Sequence, residues 1–213
     1  KGGNDGLTYQ TQWFNFNNVK TYFALNAQGL GGLMILLSNL TYLALFVYLS
    51  TTKQKYNNTF YGLLLITLAG LNGVFLAEDL ILFYFFWEVV LIPVYFLIGL
   101  YGIGKDKIRA NMTFFLYTIL GSMFMLGGII YIGFFLQPAS FLLADVVQVT
   151  GPQYSTNTAL ALLFLIAFVI KIPIFPFHTW QPTIYKTSPT PLTVVLSALM
   201  AKMGLFAVVT WYL

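Results

Sequence analysis

Four side chains able to hold a proton, Glu88, Lys171, His178 and Lys202, lie in or beside stretches that are otherwise apolar. Glu88 is the only charged residue between Leu80 and Tyr101, a run of 22 residues. That run makes ~33 Å of α-helix, matching a hydrocarbon core of ~30 Å. Glu88 stands eight residues in, ~12 Å deep, where an isolated charge costs at least ~2.5 kcal/mol. Lys171 is 13 residues from Thr158 and Lys202 is 13 from Pro189, each ~20 Å along its helix. The three charges therefore fall in one layer of a membrane. The plain alternative is that the lysines snorkel to an interface and burial keeps Glu88 protonated, but snorkelling from ~10 to 15 Å inside is a long reach for one side chain. Burial disfavours the charged form of an acid or a base, and an opposite charge nearby favours it. A small movement of charge or water can then decide which group holds a proton, as a relay requires. His178, the only histidine, could carry protons between the lysines through water, or could be a core residue bonded to backbone groups freed by nearby prolines.

Positioning these groups requires membrane spans. Hydropathy places six, at about 29–50, 59–77, 80–101, 110–136, 158–180 and 189–213, after a polar and aromatic leading segment, 1–28, expected as an interfacial loop. Pro93 falls in the third span and Pro173 and Pro176 in the fifth. Each proline removes a backbone donor, so a carbonyl one turn back needs another partner inside the membrane. A helix broken beside Lys171 is a feature of ion and proton pathways, with a packing kink as the simpler reading. Residues 137–157 are expected to form an external loop with one amphipathic turn. The reading is an all-α polytopic membrane helix bundle of about six transmembrane helices, one of them broken at mid-membrane.

The composition agrees: 59% hydrophobic, 18% aromatic and 8% charged, with a mean hydropathy of +0.81, against about a quarter charged in soluble domains. The loops at 51–58, 102–109 and 183–188 hold Lys53, Lys55, Lys105, Lys107, Arg109 and Lys186, whereas Glu78, Asp79 and Asp145 lie at the other end. The positive-inside rule puts the basic loops on the cytoplasmic side or its mitochondrial equivalent, the matrix. A net charge of +4 spread over short loops gives no nucleic-acid patch. The chain has no cysteine, which excludes disulfides and thiolate chemistry. A late first apolar run after Lys1 shows no cleavable signal peptide. Gly99 to Asp106 matches seven positions of a phosphate loop, but Asp106 stands where Ser or Thr should be and a membrane helix precedes it. No metal-ligand cluster, Ser-His-Asp set or nucleotide fingerprint is visible. The aromatic run Phe83 to Trp87 is read as helix packing and lipid contact.

Four motifs in order, Phe86-Trp87-Glu88 running on to Pro93 and Gly102, Phe114 to Leu126, Lys171-Ile-Pro173-Ile-Phe-Pro176-Phe-His178-Thr-Trp180-Gln-Pro182, and Leu199-Met-Ala-Lys202-Met-Gly204, closely resemble the chain 4, or M-type, antiporter-like subunits of NADH:ubiquinone oxidoreductase, respiratory complex I. The resemblance runs from about residue 25 to the end. It implies that Glu88 and Lys171 form a buried pair, that Lys202 is a central proton carrier and that His178 belongs to the hydrophilic axis. The family's usual Asp and His after the Trp-Gln-Pro turn are replaced by Thr183-Ile184-Tyr185, so an acid-base role there is absent. The family fold has about fourteen spans, of which this chain would cover the third to the eighth.

The function so implied is proton translocation by a membrane subunit of complex I. The resemblance also implies no redox cofactor in this chain, with NADH, FMN, iron-sulfur clusters and quinone belonging to partner subunits. Its partners would be the other membrane-arm subunits, including antiporter-like neighbours, and lipid. Two rivals are a subunit of a multisubunit sodium/proton antiporter and a structural fragment that only scaffolds the membrane arm. The richness in Phe and Tyr, 21 and 14 residues, and in Asn suits an organellar genome and favours the mitochondrial inner membrane over a bacterial plasma membrane.

Overall fold

The computed structural model describes residues 7–53, 55–150 and 158–211. In chain order these form a hairpin of β1 (Thr8–Phe16) and β2 (Val19–Asn26), then α1 (Gly29–Thr51), α2 (Asn58–Leu76), α3 (Leu80–Tyr101), α4 (Lys107–Tyr131), α5 (Leu143–Thr150), α6 (Thr158–Lys171), α7 (Trp180–Thr187), α8 (Thr190–Val195) and α9 (Ala201–Trp211). A π turn, Ile132–Leu136, extends α4, and a second, Leu196–Met200, joins α8 to α9. Among the described residues, five segments are long and apolar enough to cross a membrane: α1, α2, α3, Lys107–Leu136 and Thr190–Trp211.

The span expected at 158–180, broken beside Lys171, is broken there, and its far boundary is corrected. Its helix stops at Lys171, because Pro173 and Pro176 have no N–H to continue the ladder. The freed carbonyls find other donors. Ile174 N donates to Val169 O at 3.1 Å, and the Trp180 indole Nε1 donates to Ile170 O at 3.1 Å. The chain turns through 172–179 and resumes as α7, where the expected basic loop at 183–188 is helical through Thr187. Pro182 lies in the first turn of α7, where its missing donor leaves no ladder bond unmade. The 14 residues of α6 reach ~21 Å, short of a hydrocarbon core of ~30 Å, and the eight of α7 follow beyond the turn.

The expected leading loop is also corrected, over residues 7–28; residues 1–6 lie outside the described part. Phe16 pairs with Val19 across the two-residue turn Asn17-Asn18, whose φ values are 48° and 68°. Two positive φ angles give the twist that closes an antiparallel hairpin, and Asn tolerates them. The hairpin caps the acidic end of the bundle. Glu78 N donates to Ala24 O at 3.0 Å, Asn26 Nδ2 to Glu78 Oε1 at 2.6 Å and Phe141 N to Lys20 O at 2.9 Å, while Trp13 packs edge-on against Phe85 of α3. In the expected external loop, α5 makes a longer helix than one turn; residues 151–157 lie outside the described part.

Asp79 ties this cap to α3. Its Oδ1 accepts from the backbone N–H of Ile81 (2.9 Å) and Leu82 (3.2 Å), capping the helix, and its Oδ2 accepts from Tyr22 N of β2 at 2.8 Å. Asp79 is fully buried. Desolvation pushes its carboxyl up to about 6, against the opposing pull of those three N–H donors.

Within the bundle α3 is central, packed by α2 on one side and α4 on another. The α2 contact is close at Gly73, where an added Cβ would lie 2.3 Å from the Phe86 ring, and at Gly70, where it would lie 2.8 Å from Val90 Cγ2. On α9, an added Cβ at Gly204 would lie 2.7 Å from Ile172 Cγ1 and 3.3 Å from both Ile172 N and Phe168 O. That glycine lets α9 lie directly against the break in α6. The outermost helix is α1, with Leu33, Leu36, Leu40, Leu43 and Val47 exposed.

Candidate functional site

Glu88 stands on α3 between Phe86 and Val90, the two residues in close contact with α2, in the most apolar of the described helices. It is half-buried, and its buried Oε1 accepts no hydrogen bond. The carboxylate lies near enough to Tyr84, one turn earlier, and to Lys171 on α6 to act on both electrostatically. No direct ion pair joins Glu88 to Lys171.

Lys171 is 2% exposed and ends α6. Its Nζ lies 5.2 Å from the centroid of the Trp87 ring, within the range of a cation–π contact, which strengthens when desolvated. Trp87 is itself buried, 5.5 Å from Phe83 and 5.9 Å from Phe168 between ring centroids, so its face is held toward the lysine. A third support is the break. The aligned peptide dipoles of a helix leave partial negative charge at its C-terminus, which favours a cation. Ending α6 at Lys171 therefore places an ammonium where the helix end, the Trp87 face and the Glu88 carboxylate all stabilise it.

Lys202 is half-buried on α9, two residues beyond the π turn Leu196–Met200, between buried Met200 and Met203. A π turn displaces the side chains after it by one extra residue, a device frequent at functional positions. Measured from the acidic end, Glu88 lies ~12 Å in, Lys202 ~14 Å and Lys171 ~20 Å, one layer about 8 Å thick. His178 sits in the turn between α6 and α7, half-buried, its ring 5.8 Å from Phe175 and its Nδ1 buried without a hydrogen-bond partner. Beside it the Thr179 hydroxyl bonds the Tyr117 hydroxyl of α4 at 2.8 Å. The structure thus brings Glu88 and Lys171 together, whereas no hydrogen bond or ion pair among the described residues links Lys202 or His178 to either.

Two residues at this site escape sequence reasoning. Trp87 is read there as packing and lipid contact, but its ring faces Lys171; the adjacent glutamate in an apolar run is the signal that could have marked it. Trp180 closes the break through Ile170 O. A further buried polar set lies between α1 and α2, where Ser38 Oγ donates to Asn72 Oδ1 and the Tyr42 hydroxyl sits beside Thr67.

A search of family models matches residues 77–213 to the transmembrane domain described as NADH:quinone oxidoreductase/Mrp antiporter. Among curated proteins, the chain is 36% identical over 194 residues to the chloroplastic NAD(P)H-quinone oxidoreductase chain 4 of Adiantum capillus-veneris, covering 90% of this chain and 38% of that protein. It is 35% identical over 184 residues to NADH-quinone oxidoreductase subunit M of Rickettsia conorii, covering 85% of this chain and 36% of that one. The chain therefore spans little more than a third of the length of these relatives. Among solved structures, respiratory complex I from Thermus thermophilus with bound NADH contains a chain that superposes with a TM-score of 0.81 at 32% identity, over 95% of this chain and 42% of that chain. A chain of the Mrp complex from Dietzia sp. superposes at 0.79 with 21% identity, over 94% of this chain and 22% of that one, a likeness of fold alone.

Proposed function

Since this chain belongs to the NADH:quinone oxidoreductase/Mrp antiporter transmembrane family, we propose that it carries protons through the membrane arm of an NADH:quinone oxidoreductase, as part of that enzyme and alongside its other membrane-arm subunits. The chain is an integral membrane protein. The observation that carries the proposal is Lys171: a lysine 2% exposed, at the end of a helix broken inside the membrane, under the influence of Glu88 and against the Trp87 ring. Such a cation is costly unless it is used or fully paired, and here it has no direct ion-pair partner.

In this reading Glu88 holds the ammonium form of Lys171. When the carboxylate is neutralised or displaced, that support is withdrawn, and the proton leaves Lys171 Nζ for water on the path toward Lys202. His178, beside the polar Thr179 and Tyr117 hydroxyls, serves the turn between the two halves of the broken span. NADH, FMN, iron-sulfur clusters and quinone are assigned to partner subunits. The membrane is proposed to be the mitochondrial inner membrane, on the strength of the Phe-, Tyr- and Asn-rich composition.

The test uses the assembled enzyme in sealed vesicles. NADH-driven proton transfer should persist in sodium-free buffer, fall at least about tenfold in Lys202→Ala, and remain partial in Glu88→Asp, which keeps the charge but shortens its reach. Proton movement driven by a sodium gradient without NADH would overturn the proposal in favour of an antiporter subunit.

A further inference from the structure

A groove of about 410 Å³ opens between α1 and α8, lined by Thr41, Ala44, Leu45 and Tyr48 on one wall and Thr190 and Val194 on the other. Tyr48 lies one turn before the end of α1 and Thr190 begins α8, so the groove starts at the basic face of the bundle. Thr41 and Val194 lie one to two turns deeper, which carries it ~6 to 10 Å into the hydrocarbon. The walls are alkyl groups and the Tyr48 ring apart from three hydroxyls, two of them at the mouth. Lys53 and Lys55 follow α1 and Lys186 precedes α8, all exposed. Positive charge therefore flanks both walls where the groove meets the headgroup layer.

We infer that this groove is a phospholipid site, taking the upper part of an acyl chain between α1 and α8 and an anionic headgroup at the mouth flanked by Lys53, Lys55 and Lys186. Its size fits a flexible chain better than a helix. Two turns of helix with side chains, a cylinder about 10 Å across and about 11 Å long, occupy about 850 Å³ and would overfill it. A tyrosine hydroxyl at headgroup level is the usual membrane-interface arrangement. The excess of lysine on this face selects an anionic lipid over a zwitterionic one, since basic residues close to an anionic leaflet attract its headgroups. The inference does not depend on proton transfer by Glu88 and Lys171.

The test is photo-crosslinking of the assembled membrane complex in vesicles, with phosphatidylglycerol or phosphatidylcholine carrying a photoreactive acyl chain, followed by peptide mapping. Phosphatidylglycerol should label the 41–48 and 190–194 peptides at least about fivefold more than phosphatidylcholine does, while both label the outward face of α4 at Leu116 and Leu120 equally. Ala44→Phe, which fills the groove, should abolish the α1 and α8 labels and leave the α4 label. Changing Lys53, Lys55 and Lys186 together to Gln, a surface change that leaves the packing intact, should reduce the phosphatidylglycerol label to the phosphatidylcholine level. Equal labelling by the two lipids would mean bulk lipid contact only. Groove peptides that stay unlabelled, or that cross-link to another polypeptide, would mean that protein fills the groove. Any of these results overturns the inference.

Discussion

Asp79 offers a measurement of how the hairpin is held to the bundle. Its carboxyl is pushed from 3.8 up to about 6 by burial, so the closed state binds a proton more tightly than an open state in which Asp79 meets water at its ordinary value. Linkage gives the sign: the cost of the buried charge is absent at low pH, appears as pH rises above 3.8, and is complete above about 6. With those two values, the opening equilibrium of the hairpin should rise about tenfold between about pH 5.0 and about pH 7.5, or ~1.4 kcal/mol. Asp79→Asn keeps an oxygen to cap Ile81 and Leu82 but cannot ionise, and it gives up the bond from Tyr22 N, a loss of ~1 kcal/mol. Its opening should therefore be about threefold less frequent than wild type's at the lower pH, about thirtyfold less frequent at the higher, and independent of pH. The assay is hydrogen exchange of the peptide covering Val19–Asn26, corrected for intrinsic rates. A wild-type hairpin that becomes better protected as pH rises, or an Asp79→Asn variant with the wild-type pH dependence, would refute the reasoning.

Two further predictions concern packing and topology. Gly204→Ala puts a methyl 2.7 Å from Ile172 Cγ1, so α9 must move off the break in α6; assembled complex on native gels should fall at least severalfold, and wild-type assembly would show that the contact yields. The basic loops should share one side of the membrane, so Lys55→Cys and Lys105→Cys in this cysteine-free chain should be labelled from the same face of sealed vesicles. Labelling from opposite faces would break the topology.

Much of this architecture is legible in the sequence, because its signals are local. An apolar run of 22 residues between Asp79 and Gly102, with one carboxylate inside it, announces both a membrane helix and a group worth explaining. Pro173 and Pro176 announce the break beside Lys171. The helix beyond the break is hidden, since Pro182 looks like a stop in a sequence but sits harmlessly in the first turn of α7. The hairpin is hidden because Trp, Phe and Asn together suit an interfacial loop, although Asn17-Asn18 between alternating strands is a usable turn signal. The π turn before Lys202 has no sequence signature here. The Trp87 contact with Lys171 depends on how α3 and α6 pack, which no local pattern reports.

The central claim is that the Glu88 charge controls the proton on Lys171, and Glu88→Gln tests it most directly by keeping the shape and removing the charge. The measurement is NADH-driven proton pumping by the variant complex in proteoliposomes, on material shown by native gel to be fully assembled, beside NADH oxidation with an artificial acceptor. Pumping and coupled quinone reduction should fall together by at least about tenfold, equivalent to ~1.4 kcal/mol on the limiting step, while artificial-acceptor oxidation survives. Normal pumping in the assembled Glu88→Gln complex would contradict the account and leave Glu88 a structural residue.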